Sequence, residues 1–332
     1  GNPFGLLGMT VGFVAGSGSG TGGSYGGLGG VFGGTANPVY GDFRNPNDAG
    51  SGGGTFSGSQ GGNGGGLVRI VAQTLALDGA IRANGGVAAG FGAGGSGGGI
   101  RIDVGTLSGA GAISGNGAAA TPSGGGGGGG GRVAVYYQNA TGFNLGNVTA
   151  FGATFGGSST NGGAGTVYLQ GPARESGELV VDNNNLIPPN ETTPIFTVPA
   201  GSLNFTALRI RHGAKAKVDA LLNVVNGIEI STDSRLLASD RVLASTLQLA
   251  TRSTFDAPDV SVATAFQITD NSILSHPVTT ASVVRKLLLN AATLTIDATS
   301  RIDVLGRGFL GGNRSGNPFG LLGMTVGFVA GS

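Results

Sequence analysis

Two stretches of the chain, "VRIVAQTLALDGAIRANG" at 68–85 and "IRIDVGTLSGAGAISGNG" at 100–117, align without a gap. Arg69, Ile70, Thr74, Leu75, Ala80, Ile81, Asn84 and Gly85 recur as Arg101, Ile102, Thr106, Leu107, Ala112, Ile113, Asn116 and Gly117. Two further starts, Val133 in "RVAVYYQ" and Val167 in "GAGTVYLQ", bring the spacings to 32, 33 and 34 residues. Gapless repetition at a near-constant interval is what stacked coils require, because equivalent positions then lie above one another.

A shorter period fills the other half. "LRI" at Leu208, "IEI" at Ile228, "LQL" at Leu247, "FQI" at Phe266 and "LLL" at Leu287 follow at 20, 19, 19 and 21 residues. Each precedes a second apolar segment: "AKVDA", "SRLLAS", "STFDA", "SILSH" and "ATLTID". Leu208 and Ile210 alternate with Arg209 and Arg211, the period of a strand. Gly, Asn, Asp, Ser and Pro separate the runs, and no segment has helical periodicity. A sandwich would need tight hairpins between directly paired strands, so one-coil repetition predicts an all-β, parallel β-solenoid (β-helix) instead. Residues 1–175 read as Gly-rich long coils of about 33 residues and 176–315 as compact coils of about 20.

The extra length of the long coils is glycine, in "GGVAAGFGAGGSGGG", "GAAATPSGGGGGGGG" and "GATFGGSSTNGGAG". Gly supplies 71 of the 332 residues, about three times its usual share. Flexible linkers share this composition, but these tracts recur at one place before each strand. Stacking would set them side by side. With no Cβ to hold backbones apart, they can then bond to each other as threefold extended helices of the polyglycine II type. An ordered Gly layer is expected.

"GNPFGLLGMTVGFVAGS" occupies 1–17 and again 316–332. The offset of 315 residues reads 1–315 as one unit of a tandem array, with 316–332 opening the next. A solenoid end exposes unpaired strands and core unless something caps it. No polar cap stands out, and a continuing array would remove the need for one. The two copies should share one conformation.

Composition narrows the functions. The chain is 39% hydrophobic and only 11% charged, so it lacks the signature of a disordered tail. Eighteen cations against seventeen anions give no reason to propose nucleic acid or an anionic membrane as partner. Cysteine is absent, so disulfides and thiolate sites are impossible. The opening segment lacks the cationic start of a signal peptide. Its Gly-broken apolar run falls short of the roughly 18 to 20 residues of a membrane span.

"GSGGGIRIDVGTLSGAGAISGNG", "GGGGGGGGRVAVYYQ" and "GELVVDNNNLIPP", within about residues 50–190, resemble the Gly-rich tandem repeats of giant bacterial extracellular, adhesin-like β-helix proteins. The shorter coils at about 205–305, with "LNAATLTIDATSRIDV", resemble autotransporter-type passenger β-helices. The resemblance implies an extracellular, elongated, structural or adhesive role at the cell surface. It carries over no catalytic residue.

Sites for chemistry are sparse. Gly18, Gly20 and Gly23 fit G-x-G-x-x-G, but no helix follows to complete a phosphate cradle. His212 and His276 are not at ligand spacing. The calcium nonapeptide of solenoids needs Asp inside the Gly tracts, and the nearest is Asp48. A polysaccharide lyase or hydrolase would draw its acid and base from Asp233, Asp240, Asp256, Asp259 and Asp270, with Tyr136 and Tyr137 to stack a sugar. Asp at strand ends is more simply a turn residue. A nucleophilic triad would need His212 or His276, and both read as surface residues. "RIRHGAKAK" places Arg209, Arg211, Lys215 and Lys217 outward around a turn, a candidate surface for acidic glycan or for a solvated, aggregation-resistant face. Asn at 183–185 can begin a ladder between coils.

The reading is a non-enzymatic structural repeat of a long extracellular fibre, with no cofactor or metal, whose partner is itself. An adhesin or glycan-binding module is the alternative, and a β-helix polysaccharide lyase or hydrolase the second.

Overall fold

Alternating apolar residues and turn-formers build short strands throughout. The computed structural model describes residues 5–121, 124–156, 159–190, 192–196, 201–327 and 329–330. Parts of both seventeen-residue copies (1–4, 328 and 331–332) and of two Gly-rich tracts (122–123 and 157–158) lie outside the described residues.

In chain order the first strands are β1 (Met9–Thr10), β2 (Val14–Ala15), β3 (Leu67–Ala76), β4 (Ala80–Arg82), β5 (Gly99–Ser108) and β6 (Ala112–Ser114). Next come β7 (Arg132–Asn139), β8 (Val148–Thr149), β9 (Thr166–Gly171), β10 (Arg174–Asp182), β11 (Thr193–Ile195) and β12 (Leu203–Arg211). They are followed by β13 (Lys215–Val218), β14 (Leu222–Ser231), β15 (Arg235–Ala238), β16 (Val242–Leu249), β17 (Thr254–Asp256) and β18 (Asp259–Ile268). The last are β19 (Ile273–Ser275), β20 (Leu288–Ile296), β21 (Arg301–Ile302), β22 (Met324–Thr325) and β23 (Val329–Ala330). Among the described residues the protein is all-β: it has two 3-10 turns and no α-helix.

The long strands form one ten-stranded sheet, in the order β3-β5-β7-β9-β10-β12-β14-β16-β18-β20. Every neighbouring pair in it is parallel except β9 and β10, which form an antiparallel hairpin. The short strands that follow the long ones form two more parallel sheets, β4-β6-β8 and β11-β13-β15-β17-β19-β21.

The pairing follows the repeat. Val68 lies beside Ile100, Ile100 beside Val133 and Val133 beside Val167. Leu208, Ile228, Leu247 and Phe266 form a second row. The fifth start needs correction. Phe266 pairs with Leu294, not Leu287, and "LLL" supplies Leu289, which pairs with Val260 in the first half of the rung. "ATLTID" accordingly completes β20, and β21 takes the short-strand place. The cause is an excursion over 276–287 with Pro277 at its second position, a residue without the N–H a ladder needs.

The ten-stranded sheet carries a core on each face. Val133, Val135, Val167, Leu169 and Val180 pack with Ile113 and Val148 of the three-stranded sheet. Ala134, Tyr168, Leu179 and Val181 point the other way, into the core shared with Ala216, Leu236, Phe255 and Leu274 of the six-stranded sheet. Around β9 and β12 that second face is covered by Phe43, whose ring lies 5.7 Å from Tyr168 and 5.6 Å from Phe205.

The turns after β12, β14, β16 and β18 each use two successive left-handed residues: His212–Gly213, Thr232–Asp233, Thr251–Arg252 and Asp270–Asn271. Asn184–Asn185 make the same turn after β10. Such φ values cost energy for non-glycine residues, and stacking offsets that cost. Asn185 N donates to His212 O, Gly213 N to Thr232 O, Asp233 N to Thr251 O and Arg252 N to Asp270 O, at 2.7 to 2.9 Å. A serine column, buried as far as Ser272, runs alongside. The backbone N of Ser234, Ser253 and Ser272 each donates to the hydroxyl of the next rung's serine, the last being Ser300, at 3.1 to 3.2 Å.

The Gly tracts are ordered by backbone bonds that recur every third residue. Gly94 and Gly97 donate to Gly126 and Gly129; Gly62 and Gly65 donate to Ala93 and Ser96. Gly126 and Gly129 donate in turn to Gly20 and Gly23, so 17–30 threads among the tracts of later coils. Antiparallel neighbours keep the same step: Gly128 and Gly131 donate to Ala118 and Gly115.

Candidate functional site

The candidate cations sit on two sheets. Arg209 and Arg211 lie on β12, and Lys215 and Lys217 on β13 beyond the His212–Gly213 turn. Strand alternation points Arg209 and Arg211 away from the core that holds Leu208 and Ile210. All four have partners. Arg209 bridges Glu178 on β10 and Glu229 on β14, the latter at 2.6 Å. Arg211 meets Asp182 at 2.8 Å, Lys217 meets Asp219 at 2.8 Å, and Lys215 Nζ donates to Pro189 O at 3.2 Å.

Glu178 is the pivot of this surface. It is only 5% exposed and takes hydrogen bonds from both Arg174 and Arg209. Burial pushes its carboxyl up, but the two guanidinium groups outweigh that and hold it below the usual glutamate range. A glutamate whose pKa falls on folding adds stability that is present above its unfolded pKa, about 4.3, and is lost as pH falls through the folded value. Glu178→Gln is therefore expected to lower the urea midpoint at pH 6 and to flatten its decline between pH 6 and pH 3. An acid limb as steep as that of the wild type would refute this role.

Most of the carboxylates proposed for acid–base chemistry are engaged elsewhere. Asp233 forms a two-pronged pair with Arg252, at 2.7 and 2.6 Å, from its left-handed turn. The pairing holds its carboxyl below the usual aspartate range. Asp256 is fully buried between Arg235 at 2.7 Å and Arg307 at 3.3 Å. Asp259 faces Arg241 at 3.5 Å, Asp240 accepts from Arg241 N at 2.7 Å, and Asp270 occupies a turn.

The histidines separate. His212 lies at a turn with Nδ1 2.9 Å from Asp182 Oδ2. His276 is buried rather than on the surface, and its Nδ1 donates to Pro277 O at 2.8 Å. Tyr136 stacks beneath Arg101, 4.7 Å away, and donates to Arg44 O. Tyr137 is buried and accepts from Arg174.

Gly18, Gly20 and Gly23 each spend their N–H on a backbone carbonyl, those of Thr35, Thr55 and Gly94. The carboxylate of Asp48 lies against the Gly41 turn beside Tyr25. Among the described residues, no group of three or more His, Asp or Glu side chains is placed to hold a metal ion. No helix there is long and apolar enough to cross a membrane.

The asparagine series includes Asn183, as expected, but its other members are Asn84 and Asn116 rather than Asn184 and Asn185. Asn116 N donates to Asn84 Oδ1 and Phe151 N to Asn116 Oδ1, both at 2.8 Å. Asn183 closes the series by accepting from Gly152 N at 2.9 Å, while Asn184 and Asn185 make the turn. The gapless alignment of Asn84 with Asn116 carried that signal.

Arg132 was not singled out by sequence. It is fully buried at the start of β7, with Nε donating to Tyr40 O at 2.8 Å and Nη1 to Thr166 Oγ1 at 3.2 Å. Burial pushes its pKa down, and the rings of Tyr25 and Phe196 face its guanidinium at 5.8 and 5.5 Å. Preceded by eight glycines, it looks in sequence like a strand-edge cation. The segment that covers it lies about ninety residues upstream.

Charge on this surface is thus paired along and across rungs, an arrangement that braces strands. No family model, curated protein or solved structure matches the chain.

Proposed function

We propose that the chain is a structural repeat of a long extracellular fibre, a parallel β-solenoid whose long coils carry a polyglycine II layer. One observation supports this above the others. The interior column Leu208, Ile228, Leu247 and Phe266 is at most 2% exposed, yet the next member, Leu294, is 40% exposed. Ile302 likewise continues the buried column of Phe255 and Leu274 into solvent. An apolar interior left open on the last rung is matched by another rung stacked on it, because an uncovered strand edge over exposed core invites pairing. The repeated seventeen-residue segment supports the same periodic object, whose partner is the next unit.

Mass measurement of the natural polypeptide, with electron microscopy of the native material, tests this. A denatured mass many times 32.2 kDa is expected for the covalent array. Filaments made of 32.2 kDa chains would indicate a subunit polymer of the same kind. Dispersed single particles of that mass would overturn the fibre.

A further inference from the structure

Where both are described, the two copies of "GNPFGLLGMTVGFVAGS" share a hairpin register and glycine conformations but not a seat. In the first, β1 and β2 pair Met9 with Ala15 and Thr10 with Val14; in the second, β22 and β23 pair Met324 with Ala330 and Thr325 with Val329. These are the same pairs shifted by 315 residues. Gly5 and Gly320 have φ of 61° and 60°, and Gly12 and Gly327 have 78° and 82°. The first hairpin rests on the Gly tract at 50–55. Gly52 N donates to Met9 O and Thr55 N to Leu6 O, both at 2.9 Å, and Thr10 Oγ1 lies 2.7 Å from Ser51 Oγ. The second rests on 310–312 through Met324 N and Leu310 O at 2.8 Å, and leaves Leu321 84% and Val326 77% exposed.

We propose that residues 316–332 dock on the 50–55 tract of a second copy of this chain, in the place its own Leu6–Thr10 segment occupies. The occupant already has the sequence, the hairpin register and the glycine conformations of the segment seated there. The incoming segment would make the same hydrogen bonds that the resident one gives up. A resident copy therefore holds the site through its high effective concentration until its fit is damaged. The inference rests on the fibre reading for its purpose and adds a joint between units that forms where the incoming segment displaces the resident one.

Gly8 makes the exchange testable. A Cβ there would lie 2.1 Å from Gly52 O, whereas on Gly323, its counterpart, the nearest atom would be 3.8 Å away. Gly8→Val in the full chain therefore unseats the resident hairpin and leaves the second copy intact. Light scattering is expected to show its mass rising with concentration from one chain to several. The double variant Gly8→Val/Gly323→Val is expected to stay single. A folded Gly8→Val that remains single at all concentrations overturns the docking, as does a double variant that assembles equally.

Should Gly8→Val fail to fold, the seventeen-residue peptide carrying a fluorophore replaces it. Saturable binding to the wild-type chain at millimolar peptide, enough to compete with the resident copy, and lost in a peptide with Val at its eighth position, is expected; equal binding of both peptides overturns the proposal. Docking that fails while the natural material is filamentous leaves the fibre reading standing. Docking that succeeds with dispersed natural chains separates the two the other way.

Discussion

Gly126→Ala is expected to destabilise the protein by on the order of 3 kcal/mol or more, the upper range for forcing atoms into a packed interior. The added Cβ would lie 1.7 Å from Gly30 O and 2.3 Å from Gly30 C, both backbone atoms. Neither chain can move aside alone. Gly126 N donates to Gly20 O, Gly94 N donates to Gly126 O, and Gly30 N donates to Gly127 O. Gly66→Ala is the matched control, since its Cβ would meet nothing within 4 Å. It should change stability by less than about 1 kcal/mol, with a contribution in its favour from a stiffer unfolded chain. Urea midpoints for the two variants decide the matter. Equal shifts would mean that the tracts behave as loose loops.

Phe255→Ala is expected to cost about 3 to 5 kcal/mol, the range for removing a buried aromatic ring. Phe255 is fully buried on β17, with Leu236 directly above and Leu274 below in the parallel register. The rungs are tied together by backbone ladders and cannot collapse sideways into the gap. Phe255→Leu continues the column with its neighbours' own side chain and should cost less than about 1.5 kcal/mol. Phe155→Ala, at a ring already 42% exposed, should cost less than about 1 kcal/mol. Similar losses at Phe255 and Phe155 would contradict the placement of the core.

Much of the strand register was legible because stacking imposes it on the residues themselves. Val68, Ile100, Val133 and Val167 line up because each must fill the same column. Leu287 misled because three leucines in a row look alike, and only the ladder shows that Leu289 belongs to the first half of a rung and Leu294 to the second. The antiparallel β9–β10 pair left no periodic trace, since a reversal occurs once. The candidate surface was half legible. Arg209 and Arg211 are outward by alternation, but Glu178 and Asp182, about thirty residues upstream, become their neighbours only through the pairing of β10 with β12. Arg132 stayed hidden because burial there comes from a distant segment, and no local pattern encodes it.

The single antiparallel step has a geometric consequence for winding. In a parallel sheet the hand of a crossover links two choices: the direction in which the strand runs and the face over which the chain returns. Reversing direction at β9–β10 while returning over the same face would invert that hand. This protein changes both at once. Before the hairpin the return passes over the face holding Val133 and Val167; after it, over the face holding Leu179 and Val181. The two halves are thus related as by a half-turn about the stacking direction, and the crossovers between parallel strands keep the same hand on both sides of the hairpin.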